Sequence, residues 1–181
     1  MIKIKTPLTN KKTVQLKAGD QILLSGVIYT ARDQGHKRLV NMINNEEELP
    51  FDIEDQIIYY VGPAPAKPGE VIGSAGPTTS YRMDDLTIPL LEKGLKGMIG
   101  KGKRAKKIIN AIVEHQGIYF AAIGGAGALI ANCITKSEVI AFDDLGSEAL
   151  RRLEIKDLPL TVVIDTKGND LYAIAQEKYR Q

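Results

Sequence analysis

The sequence is poor in cysteine, in long apolar runs and in net charge. Its one cysteine, Cys133, has no partner for an internal disulfide, and one thiolate cannot hold zinc or an iron–sulfur cluster by itself. The N-terminal segment MIKIKTPLTNKK lacks the apolar region of a signal peptide, and no stretch approaches the roughly 20 apolar residues of a membrane span. We therefore expect a cytoplasmic protein whose chain holds no metal and contacts no membrane.

The remaining composition is typical of one globular domain. The 181 residues are 44% hydrophobic and 25% charged, with a net charge of +2. A chain of this length buries about two-thirds of its unfolded surface in a single core. We predict one domain over residues 1–181, because the sequence contains neither a repeat nor a linker.

The order of the sequence patterns predicts an α/β fold. TVQLKAGDQILLSGVIYTA suggests two strands joined by a turn, HKRLVNMINNEEELP a short helix, and IIYYVGPAP a buried strand that enters a loop. Strands and helices then alternate, which favours a layered α/β domain with extra β structure in its N-terminal part.

Four further elements are predicted in the second half. A helix from Asp84 tolerates Pro89 only in its first turn, and the apolar stripe of KRAKKIINAIVEHQG predicts a helix that ends at Gly117. GSEALRRLEI reads as a helix, and LPLTVVIDTKGNDLYAIA as a hairpin around Lys167 and Gly168.

Two glycine-rich segments resemble nucleotide-binding motifs only in part. GGAGALI, from Gly124, lacks the third glycine of the dinucleotide fingerprint. In GLKGMIGKGK, Gly94 lies one residue too far from Gly100 for a phosphate loop, and Gly102 replaces the Ser or Thr that binds magnesium. Close packing of helix and strand is the favoured explanation for GGAGALI, and ATP is not expected.

A basic run follows the second of these segments. It contains Lys101, Lys103, Arg104, Lys106 and Lys107, but no aromatic residue that could stack on a base. The run is therefore more typical of a solvated helix face than of a nucleic-acid site. Lys101 differs from the others because a glycine on each side lets the backbone bend sharply and bring the ammonium of Lys101 close to a ligand.

Two polar segments contain candidate binding residues. TARDQGHKRL places Arg32, Asp33 and His36 after an apolar strand; we expect Asp33 to cap the next helix, His36 to lie on its first turn, and Arg32 to project from the strand end. In GSAGPTTSYRMDD, the hydroxyls and backbone donors of residues 78–80 and the guanidinium of Arg82 predict an anion site. Alternatively, Thr79 or Ser80 caps a helix that starts near Arg82, with Asp84 and Asp85 in its first turn.

These segments, taken in order, resemble the beta subunit of class I, iron–sulfur-dependent fumarate hydratase and L-tartrate dehydratase. The likeness is carried by TARDQGHKRL, YYVGPAPAKPGEVIGSAGPTTSYRMDD, GMIGKGK, GGAGAL and EIKDLPLTVVIDTKGNDLY, among which GPTTSYRMD and GKG are the most specific. It covers most of the chain. It implies a single β/β/α swivelling domain with mixed sheets that closes over a larger alpha subunit.

The same resemblance implies roles for four residues. Arg32, Arg82 and Lys101 would bind the substrate carboxylates, and Thr78 would lie near the carbon that gains or loses a proton. None of the four departs from the family pattern. The cysteines of the 4Fe-4S cluster would belong to the alpha subunit, where iron acts as a Lewis acid on the departing hydroxyl, so Cys133 is expected to be buried in an apolar helix.

The implied activity is a hydro-lyase that interconverts fumarate and (S)-malate and is active only with its alpha partner. L(+)-tartrate dehydration is the alternative within the family, since the generic carboxylate-binding residues of this chain do not distinguish the substrates. A stand-alone dicarboxylate-binding module remains a non-enzymatic alternative. Thr78 could abstract a proton, relay one, or only orient the substrate, because a threonine hydroxyl is a poor base unless its surroundings lower its pKa.

Overall fold

A computed structural model describes residues 1–122 and 126–178 of the chain. In these residues, seven strands form one mixed sheet: β1 (Ile2–Lys5), β2 (Gln21–Thr30), β3 (Ile57–Tyr59), β4 (Gly97–Gly100), β5 (Ile118–Ala121), β6 (Ile134–Ala141) and β7 (Leu150–Ile164). The α-helices are α1 (Asn10–Thr13), α2 (Asp33–Asn44), α3 (Asp84–Glu92), α4 (Lys106–Glu114), α5 (Gly127–Ala131) and α6 (Leu171–Lys178). Short 3-10 helices lie at Ser80–Met83 and Asp143–Glu148.

Five of the strands close into a ring. β2 and β7 pair antiparallel along most of their length, from Gln21 opposite Thr161 to Thr30 opposite Arg151. β3, β4 and β5 run parallel to one another. β3 also pairs with β2, and β5 also pairs with β7. β1 extends the sheet along β2, and β6 extends it along β7.

The three parallel strands separate two hydrophobic cores. Along β3 and the residue after it, Ile57 and Tyr59 point into an inner core enclosed by the ring, while Ile58 and Tyr60 point into an outer core. The outer core is closed by buried residues of α2, α3 and α4, among them Leu39, Leu90, Leu91, Ile108 and Ile112. Because successive side chains of a strand point to opposite faces, this gives three layers, strand on strand on helix. The predicted layered α/β class is confirmed.

Several predicted elements agree with the structure. α4 buries Ile108, Ile109 and Ile112 on one face, as their helical spacing predicts. Gly117 follows its end and donates its amide hydrogen to the carbonyl of Ile112 at 2.8 Å. β3 lies within the segment predicted for it, and α2 overlaps the helix predicted in HKRLVNMINNEEELP but begins three residues earlier, at Asp33.

Two predicted elements are wrong. The first of the two strands predicted in TVQLKAGDQILLSGVIYTA is absent. Residues 13–20 contain the end of α1 and a turn, and only the second predicted strand forms, as β2. The predicted helix GSEALRRLEI is a 3-10 turn followed by the first half of β7. Leu150 and Leu153 have helical spacing, but Leu150 packs in the outer core and Leu153 in the inner one. Residues three apart on a strand point to opposite faces, so a strand buried on both sides mimics a helical stripe.

Two other predictions are correct only in part. Pro89 is the sixth residue of α3 and not in its first turn, because the helix starts at Asp84 after a 3-10 turn. The turn at Lys167 and Gly168 exists, with Gly168 at a φ of 79°, but the returning segment forms α6 and not a second strand. None of the helices in the described residues has the length and apolar character needed to cross a membrane.

Candidate active site

Three loops meet at one edge of the sheet. Arg32 follows β2, the segment 62–79 follows β3, and Lys101 follows β4. These strands are parallel neighbours, so their carboxyl ends lie together, which is where open α/β sheets bind ligands. The fold therefore brings together loops that contain Arg32 and Lys101, which are 69 positions apart in the sequence.

Three hydrogen bonds fix the loop after β3, two to the end of β3 and one to the start of α5. The hydroxyl of Tyr59 donates to the carbonyl of Ala75 at 2.5 Å, and the amide of Ala75 donates to the carbonyl of Gly127 at 3.1 Å. The amide of Thr78 donates to the carbonyl of Tyr60 at 2.8 Å. Thr78 is thereby held beside the end of β3.

The Lys101 backbone lies against this loop. Its amide donates to the carbonyl of Thr78 at 3.3 Å and to Ser80 Oγ at 3.1 Å, and its carbonyl accepts the amide of Ser80 at 3.0 Å. The hydroxyl of Tyr119 also donates to Ser80 Oγ, at 3.0 Å. The amides of Thr78 and Ser80 therefore bind protein groups, which corrects the prediction that residues 78–80 offer them to an anion. The side chain of Lys101 remains exposed.

The two glycines around Lys101 have different functions. Gly102 has a φ of 85°, a left-handed conformation that side chains disfavour, so it permits the turn after the lysine. Gly100 lies against Ser80 and Tyr60, and a Cβ there would overlap Ser80 Oγ. Gly100 thus allows close approach of two loops, while the sharp bend depends on Gly102.

The predicted arginines converge on one aspartate. Arg82 donates from Nε and Nη2 to the two carboxylate oxygens of Asp33, at 2.9 and 3.1 Å, and from Nη2 to Thr78 Oγ1 at 3.4 Å. Arg32 Nη2 lies 3.9 Å from Asp33 Oδ2 and 3.8 Å from Glu148 Oε1. Arg32, Arg82, Thr78 and the Lys101 backbone therefore form one contiguous cluster, hereafter the arginine cluster, with Asp33 at its centre.

The charges of the arginine cluster are only partly balanced. Hydrogen bonds from Arg82 hold the pKa of Asp33 below its ordinary value, so this carboxylate is ionised. Asp33 and Glu148 offset the charges of Arg32 and Arg82, and the exposed side chain of Lys101 carries a third positive charge. Arg32 Nε is buried, and no hydrogen-bond partner for it exists among the described residues. The cluster thus keeps an unused buried donor, which is a property of an anion site.

His36 supports the cluster from behind. Its Nδ1 lies 2.9 Å from the carbonyl oxygen of Arg32, and because a carbonyl only accepts, Nδ1 carries the proton. The ring is fully buried, and this desolvation lowers its pKa to about 4, so it is neutral near pH 7. His36 lies on the first turn of α2 as predicted, and it also fixes the carbonyl of Arg32.

The basic run has mixed surroundings. Arg104 is buried and donates to Asp84 Oδ1 at 2.5 Å, while Asp84 Oδ2 accepts the amide of Ala105 at 2.8 Å. Lys107 pairs with Asp85, and Lys103 and Lys106 are exposed. The run is therefore not one uniform solvated face, because its arginine belongs to the interior.

The structure does not show the side-chain caps that the sequence predicts for α2 and α3. Asp84 and Asp85 lie in the first turn of α3 as predicted, but neither Thr79 nor Ser80 caps a helix, since α3 follows Met83 without a side-chain cap. Asp33 is the first residue of α2 and binds Arg82, so its assignment as a cap is wrong.

Sequence reasoning missed Glu148. It reaches the cluster from the 3-10 turn before β7 and accepts the amide of Gln34 at 2.7 Å. Its only sequence signal is its position before a strand that was itself misread as a helix.

The remaining predicted ligand sites contribute little to this region. Gly124 and Gly125 of GGAGALI lie outside the described residues, and α5 after them has five residues. Cys133 is half-buried between α5 and β6, so the prediction that it lies in an apolar helix is wrong. Burial raises the pKa of its thiol. In the part of the chain that the structure describes, no group of three or more His, Cys, Asp or Glu side chains could hold a metal ion.

The fold is an α/β domain in which strand-end loops bring the arginine cluster together at one edge of the sheet. The chain belongs to the family described as Fumarase C-terminus, which matches residues 1–175. It is 38% identical over 177 residues to a candidate L(+)-tartrate dehydratase subunit beta from Methanocaldococcus jannaschii, covering 94% of this chain and 91% of that protein.

Two longer relatives are fumarate hydratases. The chain is 36% identical over 177 residues to fumarate hydratase 2 of Leishmania major, covering 95% of this chain but 31% of that protein. It is 38% identical over 160 residues to the aerobic class I fumarate hydratase of Escherichia coli, covering 87% and 29% of the two chains. The chain therefore corresponds to under a third of the length of these hydratases.

Proposed function

We propose that the chain is the beta subunit of a hydro-lyase that interconverts fumarate and (S)-malate, and that it supplies the residues that bind the substrate carboxylates. The convergence of Arg32, Arg82 and the Lys101 loop around Thr78 is the observation that carries this proposal. The names of the relatives, two of them fumarate hydratases, support it.

The chemistry explains the need for several cations. Fumarate and malate carry two carboxylates, which lose their hydration when a site closes around them. Removing the malate proton next to a carboxylate builds further negative charge there, and cations already in place bind that charge more tightly than they bind the substrate. Arg32 and Arg82 are suited to this task, because in the part of the chain that the structure describes neither Arg32 Nε nor Arg82 Nη1 makes a hydrogen bond.

Thr78 is placed to contact the reacting part of a substrate held by Arg82. Its hydroxyl lies 3.4 Å from Arg82 Nη2, so a carboxylate on Arg82 would also lie next to this hydroxyl. We propose that Thr78 transfers the proton or orients the carbon that loses it. The positive surroundings favour the deprotonated form of the hydroxyl.

The iron–sulfur cluster that the resemblance implies does not fit this chain. The sequence has one cysteine, whereas a 4Fe-4S cluster is held by several thiolates. In this proposal the cluster therefore belongs to an alpha partner, and the activity requires both chains. The additional length of the fumarate hydratases is consistent with a fused partner region.

Dehydration of L(+)-tartrate is the alternative, favoured by one observation. The M. jannaschii relative that bears this name matches nearly end to end, as a separate chain. Fumarate, (S)-malate and L(+)-tartrate are therefore assayed in parallel. The substrate with the highest kcat/KM assigns the activity.

The experiment reconstitutes the chain with its proposed alpha partner and follows fumarate absorbance. Arg32→Met, Arg82→Met and Lys101→Met should each lower kcat/KM about a hundredfold, the effect of removing one donor to a developing anion. Arg38→Met and Lys103→Met are matched controls, because Arg38 also binds an aspartate bidentately and Lys103 is another exposed lysine of the same run. Equal losses in controls and cluster variants would refute the assignment.

Thr78→Ala separates the possible functions of the hydroxyl. A transfer of the proton by Thr78 predicts a large fall in kcat with little change in KM. Near-normal turnover with intact binding would remove Thr78 from the proton-transfer step. Calorimetry with the isolated chain tests the stand-alone binding module, which requires dicarboxylate binding without a partner.

A further inference from the structure

The hydrogen bonds of Arg82 are made by the Nε and Nη2 atoms of its guanidinium. Of its five N–H donors, Nε–H and one Nη2 hydrogen bind Asp33, and the second Nη2 hydrogen faces Thr78 Oγ1. Within residues 1–122 and 126–178, Nη1 makes no hydrogen bond. The edge formed by Nη1 and Nη2 therefore has an unused donor in Nη1, and a bidentate carboxylate there would share the second Nη2 hydrogen with Thr78 Oγ1, which lies 3.4 Å from Nη2.

The orientation of Arg82 depends on Asp33. The arginine side chain is 37% exposed, so solvent alone would leave it free to adopt several rotamers. Asp33 is the first residue of α2, and its backbone position is fixed by the helix. A bidentate pair to such a fixed carboxylate restricts both the position and the plane of the guanidinium.

Asp33 also lies beside the second arginine. Its Oδ2 is 3.9 Å from Arg32 Nη2, so one carboxylate stands between two like charges and offsets their repulsion. Without it, the arginines of the cluster would repel each other and separate.

We propose that Asp33 is a positioning residue that holds the Nε–Nη2 edge of Arg82, so that the opposite edge binds a substrate carboxylate next to Thr78. This inference rests on the proposed function. Asp33 does not contact the substrate and acts through Arg82. The opposite possibility is that Asp33 competes with the substrate for Arg82, in which case its removal would tighten binding.

The test compares Asp33→Asn with Asp144→Asn in the reconstituted complex. Asp144 forms the same kind of bidentate pair, with Arg38 of the same helix, but lies outside the arginine cluster. We expect Asp33→Asn to lower kcat/KM at least tenfold and Asp144→Asn to leave it unchanged. Asp33→Glu keeps the charge and should restore part of the loss.

A double variant shows whether Asp33 acts through Arg82. In the Arg82→Met background, Asp33→Asn should cause no further loss, because the group that it positions is gone. Multiplicative losses would overturn the inference, as would a lower KM in Asp33→Asn alone.

A measurement on the full chain without a partner is independent of catalysis. The Nε–H of Arg82 should exchange slowly with water in NMR spectra of the wild type and Asp144→Asn, and rapidly in Asp33→Asn. Unchanged exchange would overturn the inference alone. A wild-type complex inactive on all three diacids would overturn the proposed function and, with it, the substrate part of the inference.

Discussion

Among single residues, His36 gives the clearest prediction of how the free energy of unfolding depends on pH. Its ring is neutral and buried in the folded protein, where its pKa falls from 6.5 to about 4. The unfolded chain therefore binds a proton that the folded chain does not, and the stability contributed by this difference is present above the unfolded pKa and is lost as the pH falls. We expect the free energy of unfolding to fall by roughly 3 kcal/mol between pH 6.5 and pH 4 through this group.

Denaturant titrations across this pH range measure the effect. The slope of unfolding free energy against pH should be flatter in His36→Gln than in His115→Gln, which removes the only other histidine of the sequence. The slope is compared and not the absolute stability, because His36→Gln also loses packing. A wild-type slope in His36→Gln would contradict the prediction.

Gly100 gives a second prediction at the residue scale. A Cβ at this position would overlap Ser80 Oγ, so Gly100→Ala should destabilise the protein by about 1–3 kcal/mol and shift the Lys101 loop. Gly76 is the control, since the nearest atom to a Cβ there is Gly127 Cα at 3.7 Å. We expect Gly76→Ala to change stability by less than about 0.5 kcal/mol in urea unfolding. Equal effects would show that the two loops separate easily.

The residues of the candidate site differ in how well the sequence predicts them. Arg32, Thr78, Arg82 and Lys101 lie in distinctive sequence motifs, and the fold brings the first three together with the backbone of Lys101; their function stays a prediction. The pairing of Asp33 with Arg82 could not be predicted from the sequence, because it joins residues that are 49 positions apart. A helix-start aspartate is most simply read as a cap, and only the tertiary structure shows what faces it.

At the scale of elements, β7 connects the largest part of the sheet. Its 15 residues pair with β2 along one edge and with β6 and β5 along the other. Leu153 is fully buried in the inner core at the centre of these pairings. Leu153→Ala should lower the free energy of unfolding by about 2–5 kcal/mol.

Val139→Ala in the neighbouring strand β6 is the control for this prediction. Val139 is 38% exposed, so its truncation should cost less than about 1 kcal/mol. Urea midpoints of both variants at constant m-value measure the difference. Similar midpoints would mean that β7 is not the centre of stability.

The errors in element prediction share one cause. Helical spacing in LRRLEI predicted a helix, but β7 has a core on each face, and its strand partners supply the backbone hydrogen bonds. Elements with one buried face, such as α4, were predicted correctly, because only for them does the apolar period report the secondary structure directly.

At the scale of the whole molecule, the inner and outer cores share β3, β4 and β5. Neither core can lose its packing without exposing the same strands, so we expect unfolding in one cooperative step. This also tests the expectation of one domain over residues 1–181. Methyl NMR signals of Ile22, in the inner core, and Leu90, in the outer core, should disappear at the same urea concentration. Two separate midpoints would indicate two domains.

The three shared strands also restrict how this chain can change in length. Deleting or inserting one residue within β3, β4 or β5 would send each following side chain to the opposite core, exchanging partners of unequal size. Evolution should therefore confine gaps to the connecting segments, such as the exposed residues 66–70, which precede the anchored part of the loop after β3. The same rule guides engineering: an added peptide tag or binding loop belongs in those segments and not within the strands.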